Sequence, residues 1–101
     1  MSHEGFHEAI EKLTPATLDM HRAIESLMEE MEAVDWYNQR IDACENDELK
    51  QILLHNRDEE KEHAVMIIEW LRRNDPYFED QLKKRLNKAG PIAHAKKVGD
   101  K

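Results

Sequence analysis

The chain has 101 residues, 37% of them charged, with a formal net charge of −7, one Cys, three Gly and three Pro. This bounds it to one small domain and excludes an internal disulfide framework, a turn-rich all-β fold, and an apolar membrane span or signal segment. The negative charge argues against nucleic acid or a membrane as partner and suits the attraction of cations, while the single Cys44 fits a reducing, cytoplasmic setting.

Residues 1–13 carry Phe6, Ile10 and Leu13 at loose helical spacing interrupted by Gly5, and read as a flexible arm. Thr14-Pro15 is a helix start, with Thr14 as cap and Pro15 at the first helical position. The first long helix is expected over residues 15–43, where Met20, Ile24, Leu27, Met31, Val34, Asn38 and Ile41 recur in alternating steps of four and three. Residues 45–48 (ENDE) break it, with Asn46 or Asp47 available to cap the next helix. The second long helix is expected over residues 47–74, stopped by Asp75-Pro76. A short third helix is expected over 77–88, with Phe78, Leu82 and Leu86 as its apolar stripe and Ala89-Gly90-Pro91 as its end. Residues 91–101 read as a mobile tail, which leaves 14–90 as the folded domain.

A short connection makes the two long helices antiparallel. Glu30 lies sixteen residues before Asn46, and Glu60 and His63 lie fourteen and seventeen after it. At about 1.5 Å per residue the three share one level of the hairpin. On a helical wheel Leu49, Ile52, Asn56, Glu59, Glu60, His63, Ile67 and Trp70 share one face, apolar at its ends and polar in its middle. Asn, Glu and His on a core stripe are costly unless partners satisfy them. Glu60 and His63, at i and i+3, point the same way and can hold one metal ion. On the first helix Glu30 is flanked by the small Ala23 and Ala33, with Tyr37 two turns further on.

A di-iron site in a four-helix bundle needs one Glu from each of two helices and Glu-x-x-His from each of two others. One chain holds half that set and two copies hold all of it. A two-helix hairpin also cannot enclose a core alone, so the dimer that buries it is the dimer that completes the site. A second stripe, Leu54, Val65 and Ile68, points to a further subunit contact. Glu25, Glu29, Glu32 and Trp36 form one row on the back of the first helix, either a metal-attracting surface or a solvated acidic face. The plainer reading of Glu60 and His63 is a satisfied structural polar cluster. Glu4 and His7 repeat the Glu-x-x-His spacing, but in a Gly-broken arm without a partner helix. Asn56 reads as a packing or supporting polar residue, His21 and His55 as surface residues, and His94 as part of the tail. Glu59 has the wrong step to His63. Met20, Met28, Met31 and Met66 read as core fill, and Cys44 as inert.

The runs HRAIESLMEEMEAVDWYNQRIDA (21–43) and LLHNRDEEKEHAVMIIEWLRRND (53–75), with Gly90-Pro91-Ile92, make the chain resemble the encapsulated ferritins. These are short ferritin-like cargo proteins of bacterial and archaeal encapsulin shells. The resemblance implies an all-α fold, an antiparallel two-helix hairpin plus a short C-terminal helix. Two hairpins would dimerise into a ferritin-like four-helix bundle, and five dimers would form an open decameric ring. It implies a ferroxidase oxidising Fe(II) with O₂ at a di-iron centre of Glu30, Glu60 and His63. Glu29, Glu32 and Trp36 would form an outer metal path with Tyr37 beside the centre, and the encapsulin shell would supply the storage volume. Ca, Zn or Mn could occupy the same site without turnover. Cargo of this class ends in a Gly-Ser-Leu-like docking peptide. Here Val98-Gly99 resembles the start of one, and no Ser-Leu follows before Lys101, as in a truncated peptide or a different mode of docking. The rival reading is a non-enzymatic helical module for metal binding or structural oligomerisation.

Overall fold

A computed structural model describes residues 5–93. Glu4, His94 and the tail residues 94–101 lie outside the described residues, so the Glu4/His7 pair and the docking peptide are not seen. A 3-10 turn (Ile10–Lys12) precedes three α-helices, α1 (Pro15–Ala43), α2 (Asp47–Asn74) and α3 (Pro76–Arg85), with no strand among the described residues. No helix among these residues is long and apolar enough to cross a membrane. The chain divides into two units within α2, the first ending at Ile68 and the second beginning at Glu69.

Each helix start is set by its cap. Thr14 Oγ1 accepts from Thr17 N–H at 3.1 Å with Pro15 beside it. Asn46 Oδ1 accepts from Leu49 N–H at 2.9 Å and starts α2 after a turn of three residues. Asp75 Oδ1 accepts from the N–H groups of Tyr77 and Phe78, at 3.0 and 3.1 Å. Charge follows the helix dipole: Asp47 and Glu48 open α2, and Arg72 and Arg73 close it. The third helix starts one residue before the expected position and ends three before it. Leu86 turns to extended backbone and Asn87 enters the left-handed region at φ 58°, although the apolar spacing runs on to Leu86.

In the first unit, the bond from Arg57 Nη1 to Asn38 Oδ1 and the contact of His63 with Glu30 fix α1 and α2 as antiparallel. The row on α1 splits. Met20, Leu27 and Val34 are half-buried and Ile41 is buried, whereas Ile24, Met31 and Asn38 are exposed. On α2 the inward row is Leu53, Arg57, Glu60 and Ala64, with Ala64 only 3% exposed.

This corrects the expected core face of α2. Leu49, Ile52 and Glu59 are exposed, Ile52 at 53%, and lie to one side of the seam. Glu59 turns outward to His55, with 3.3 Å from its Oε2 to His55 Nε2. At about 100° per residue the hairpin keeps two open apolar sides. One carries Leu49, Ile52 and His63. The other carries Ile24, Met28, Met31 and Val65, the last 62% exposed. Met28, Met31 and Met66 are therefore surface residues of the single chain, not core fill. Burying one such side chain is worth about 1.5–3 kcal/mol, a gain that the single chain leaves unused on both sides. At the N-terminal end the Phe6 ring lies 4.7 Å from that of His21, which also contacts Glu25.

In the second unit Glu69 is the hub. Arg72 donates to it through Nε and Nη2, both at 2.8 Å, and Arg73 through Nε at 2.6 Å. Arg72 Nη1 reaches Glu79 on α3 at 3.2 Å, which ties α3 to the end of α2. The bonds from Arg72 and then Arg73 hold the Glu69 carboxyl down at about 2.

Candidate metal centre

Three side chains converge where the level arithmetic places them. Glu30 comes from the middle of α1, and Glu60 and His63 come from successive turns of α2. One ligand atom from each lies within 4.8 Å of the others. His63 Nδ1 is 3.4 Å from Glu60 Oε1 and 3.4 Å from Glu30 Oε1. The side chains are 24% (Glu30), 27% (Glu60) and 45% (His63) exposed, so the centre opens on the His63 side.

The electrostatics are those of a site lacking positive charge. Glu30 is pushed above the ordinary carboxylate range, first by its hydrogen bond with Glu60, then by burial and by the Glu60 charge, with His63 opposing. On His63, burial favours the neutral ring, but hydrogen bonding to Glu60 and the two carboxylate charges outweigh it and raise its pKa above 6.5. Two acids thus share a site with one base. Glu30 Oε1 is buried with no hydrogen-bond partner, His63 standing at ion-pair distance only. A buried, unpaired carboxylate oxygen is costly, and a cation beside it removes that cost. Two carboxylates and one imidazole suit iron, manganese or zinc. Three side chains from one chain leave further coordination positions open.

The other anticipated residues lie elsewhere. Glu29 is exposed, Glu32 half-buried and Trp36 exposed on the outer side of α1. Tyr37 is half-buried, with the Arg40 guanidinium carbon 5.3 Å from its ring centre. Neither Glu29 nor Glu32 joins the three-residue group within the chain. Asn56 is half-buried beside the centre, and His55 and Glu59 pair on the outer surface of α2. Hydropathy spacing gives Arg57 no role, yet it reaches across to Asn38 at 3.1 Å. The signal available for that contact is the polar Asn38 inside an apolar row.

Known proteins resemble this chain over most of its length. An "Encapsulated ferritin-like protein" of Rhodospirillum rubrum is 56% identical over 91 residues, which are 90% of this chain and 65% of that protein. An "Encapsulin nanocompartment cargo protein" of Myxococcus xanthus is 38% identical over 72 residues, 70% of this chain and 55% of that one. The chain therefore spans less than two thirds of the length of either relative. A crystallised protein of Nitrosomonas europaea superposes with a TM-score of 0.86 at 59% identity, covering 90% of this chain and all of that one. Residues 5–89 match the EncFtn-like family throughout, and the chain belongs to that family.

Proposed function

We propose that this chain is the subunit of a ferroxidase that oxidises Fe(II) to Fe(III) with O₂ and feeds iron storage inside an encapsulin shell. The convergence of Glu30, Glu60 and His63 carries this reading, together with the buried, unpartnered Glu30 Oε1. Residues 14–90 act as half of a four-helix bundle. A second copy brings its own Glu30, Glu60 and His63 to the same side and closes the shell around two metal ions. The other apolar side, with Met31 and Val65, carries the contacts that join dimers into a decameric ring. The names of the Rhodospirillum and Myxococcus relatives support the shell as partner.

Each residue has a definable task. Glu29 and Glu32 raise the local concentration of Fe(II) along the outer face of α1, with Trp36 on the same row. Glu30 and Glu60, deprotonated, replace the water shell of the incoming ion with carboxylate oxygens. His63 gives up the proton it shares with Glu60 and ligates through Nδ1, the nitrogen that faces both carboxylates. Tyr37, two turns along α1 from Glu30 and with Arg40 over its ring, is the aromatic neighbour of the centre in this reading. Fe(II) held by these residues would be oxidised by O₂ as electron acceptor, and the hard carboxylate oxygens of Glu30 and Glu60 would favour the Fe(III) product. Zn, Mn or Ca would occupy the centre without that step.

Oxygen uptake on adding Fe(II) tests the proposal. Wild type should consume O₂ at once, and Glu60→Ala and His63→Ala should each lose the fast phase. Equal uptake by the variants contradicts it and leaves a structural or metal-binding oligomerisation module.

A further inference from the structure

A second polar link joins α1 to α2 between the metal centre and the turn. Arg57 is 23% exposed. Its Nε donates to Asp58 Oδ1 on its own helix at 3.2 Å, and its Nη1 crosses to Asn38 Oδ1 at 3.1 Å. Asn38 stands in the row of α1 otherwise filled by Leu27, Met31, Val34 and Ile41. In the fold Asn38 stands at the exposed edge of that row, and a single polar residue among apolar ones can fix alignment.

We propose that Arg57 and Asn38 are positioning residues that hold the axial register of α1 against α2 and so keep Glu30 opposite Glu60 and His63. The three-residue turn limits gross sliding. Within that limit the apolar row resists small shifts poorly, because its side chains repeat every three and four residues and contacts are non-directional. A hydrogen bond is directional and loses its geometry within an ångström. The centre needs that accuracy, because its ligand atoms come from both helices. A shift of α1 by one turn, about 5.4 Å, would break the Asn38 bond and take Glu30 out of reach of His63. Anchoring by Asp58 leaves Arg57 little freedom to follow such a shift.

The inference rests on the metal centre proposed above, and the test separates the two. Metal-free protein is melted thermally, and Co(II) is titrated anaerobically while its visible absorption is followed. In Asn38→Leu/Arg57→Met an apolar pair replaces the link. It should melt near the wild-type temperature, because Asn38 is exposed and one such hydrogen bond adds little net stability. It should bind Co(II) about tenfold more weakly, the usual cost of removing support behind a ligand, with an altered spectrum. Arg57→Lys keeps one donor for Asn38 and should recover most of the affinity. If the double variant does not fold, Arg57→Gln against Arg57→Lys makes the same comparison. Unchanged affinity and spectrum in the variant lacking the link overturn the inference, as does Arg57→Lys performing no better than that variant. Glu60→Ala is the control: if it binds Co(II) like wild type, the centre itself is misassigned and the positioning role falls with it.

Discussion

Glu30 Oε1 on α1 and His63 Nδ1 on α2 stand 3.4 Å apart although thirty-three residues separate them in the chain. The turn at 44–46 brings their levels together, and Glu60, one turn from His63, completes the group. This contact is a compromise, because Glu30 faces another acid and leaves one oxygen unbonded.

Glu30→Gln should therefore act in opposite directions on stability and binding. It removes a carboxylate that Glu60 repels and keeps its shape, so the metal-free protein should melt at the same temperature or higher. Affinity for Co(II) or Fe(II) should fall by about 10–100-fold. Melting and titration of one preparation check both, and a variant that loses stability yet keeps its affinity contradicts the assignment.

Much of this arrangement is legible in the sequence. Thr14-Pro15, Asn46 and Asp75-Pro76 are local signals, and the expected spans of both long helices match α1 and α2. The level of Glu30 with Glu60 and His63 comes from counting outward from one short turn. The side of α2 that meets α1 is not legible. The seam is marked by Ala64 and Arg57, whereas the larger Leu49 and Ile52 stay exposed. Hydropathy records that a side chain is to be buried but not in which chain, so a face meant for a partner looks like a core face. The end of α3 is hidden for a similar reason: Leu86 keeps the apolar spacing while its backbone has left the helix.

If the outer row of α1 steers cations, Glu32→Ala should slow the first phase of Fe(II) uptake by up to about tenfold at low salt and leave the final metal content unchanged. Stopped-flow absorbance at two ionic strengths measures this. An unchanged rate at low salt would make the row a solvated face.

Asn46 supports a helix end on a turn too short to compensate for its loss. Asn46→Ala should cost about 1 kcal/mol of stability, read from the urea midpoint, with Asn46→Ser close to wild type. No shift would show that the 2.9 Å bond to Leu49 N–H contributes nothing.

Glu69 gives a pH dependence of known sign. Its carboxyl is held at about 2, below the ordinary 4.5, first by Arg72 and then by Arg73. The unfolded chain binds more protons in that interval, so stability falls as the solution is acidified. The contribution is fully present above 4.5 and disappears as pH drops toward 2. Glu69→Gln should melt with a shallower acid dependence over that range, and the protection of α3 amides relative to an unfolded chain should no longer fall with acid. Parallel curves for wild type and variant would contradict the assignment.

In the proposed assembly two copies of one chain each bring an incomplete ligand set to a shared pair of irons. Crystals grown with Fe(II) and measured across the iron absorption edge test it most directly. Two anomalous peaks are expected between neighbouring chains, each within bonding distance of Glu30, Glu60 or His63 side chains from both. Peaks coordinated by one chain alone, or located away from these three residues, would contradict it.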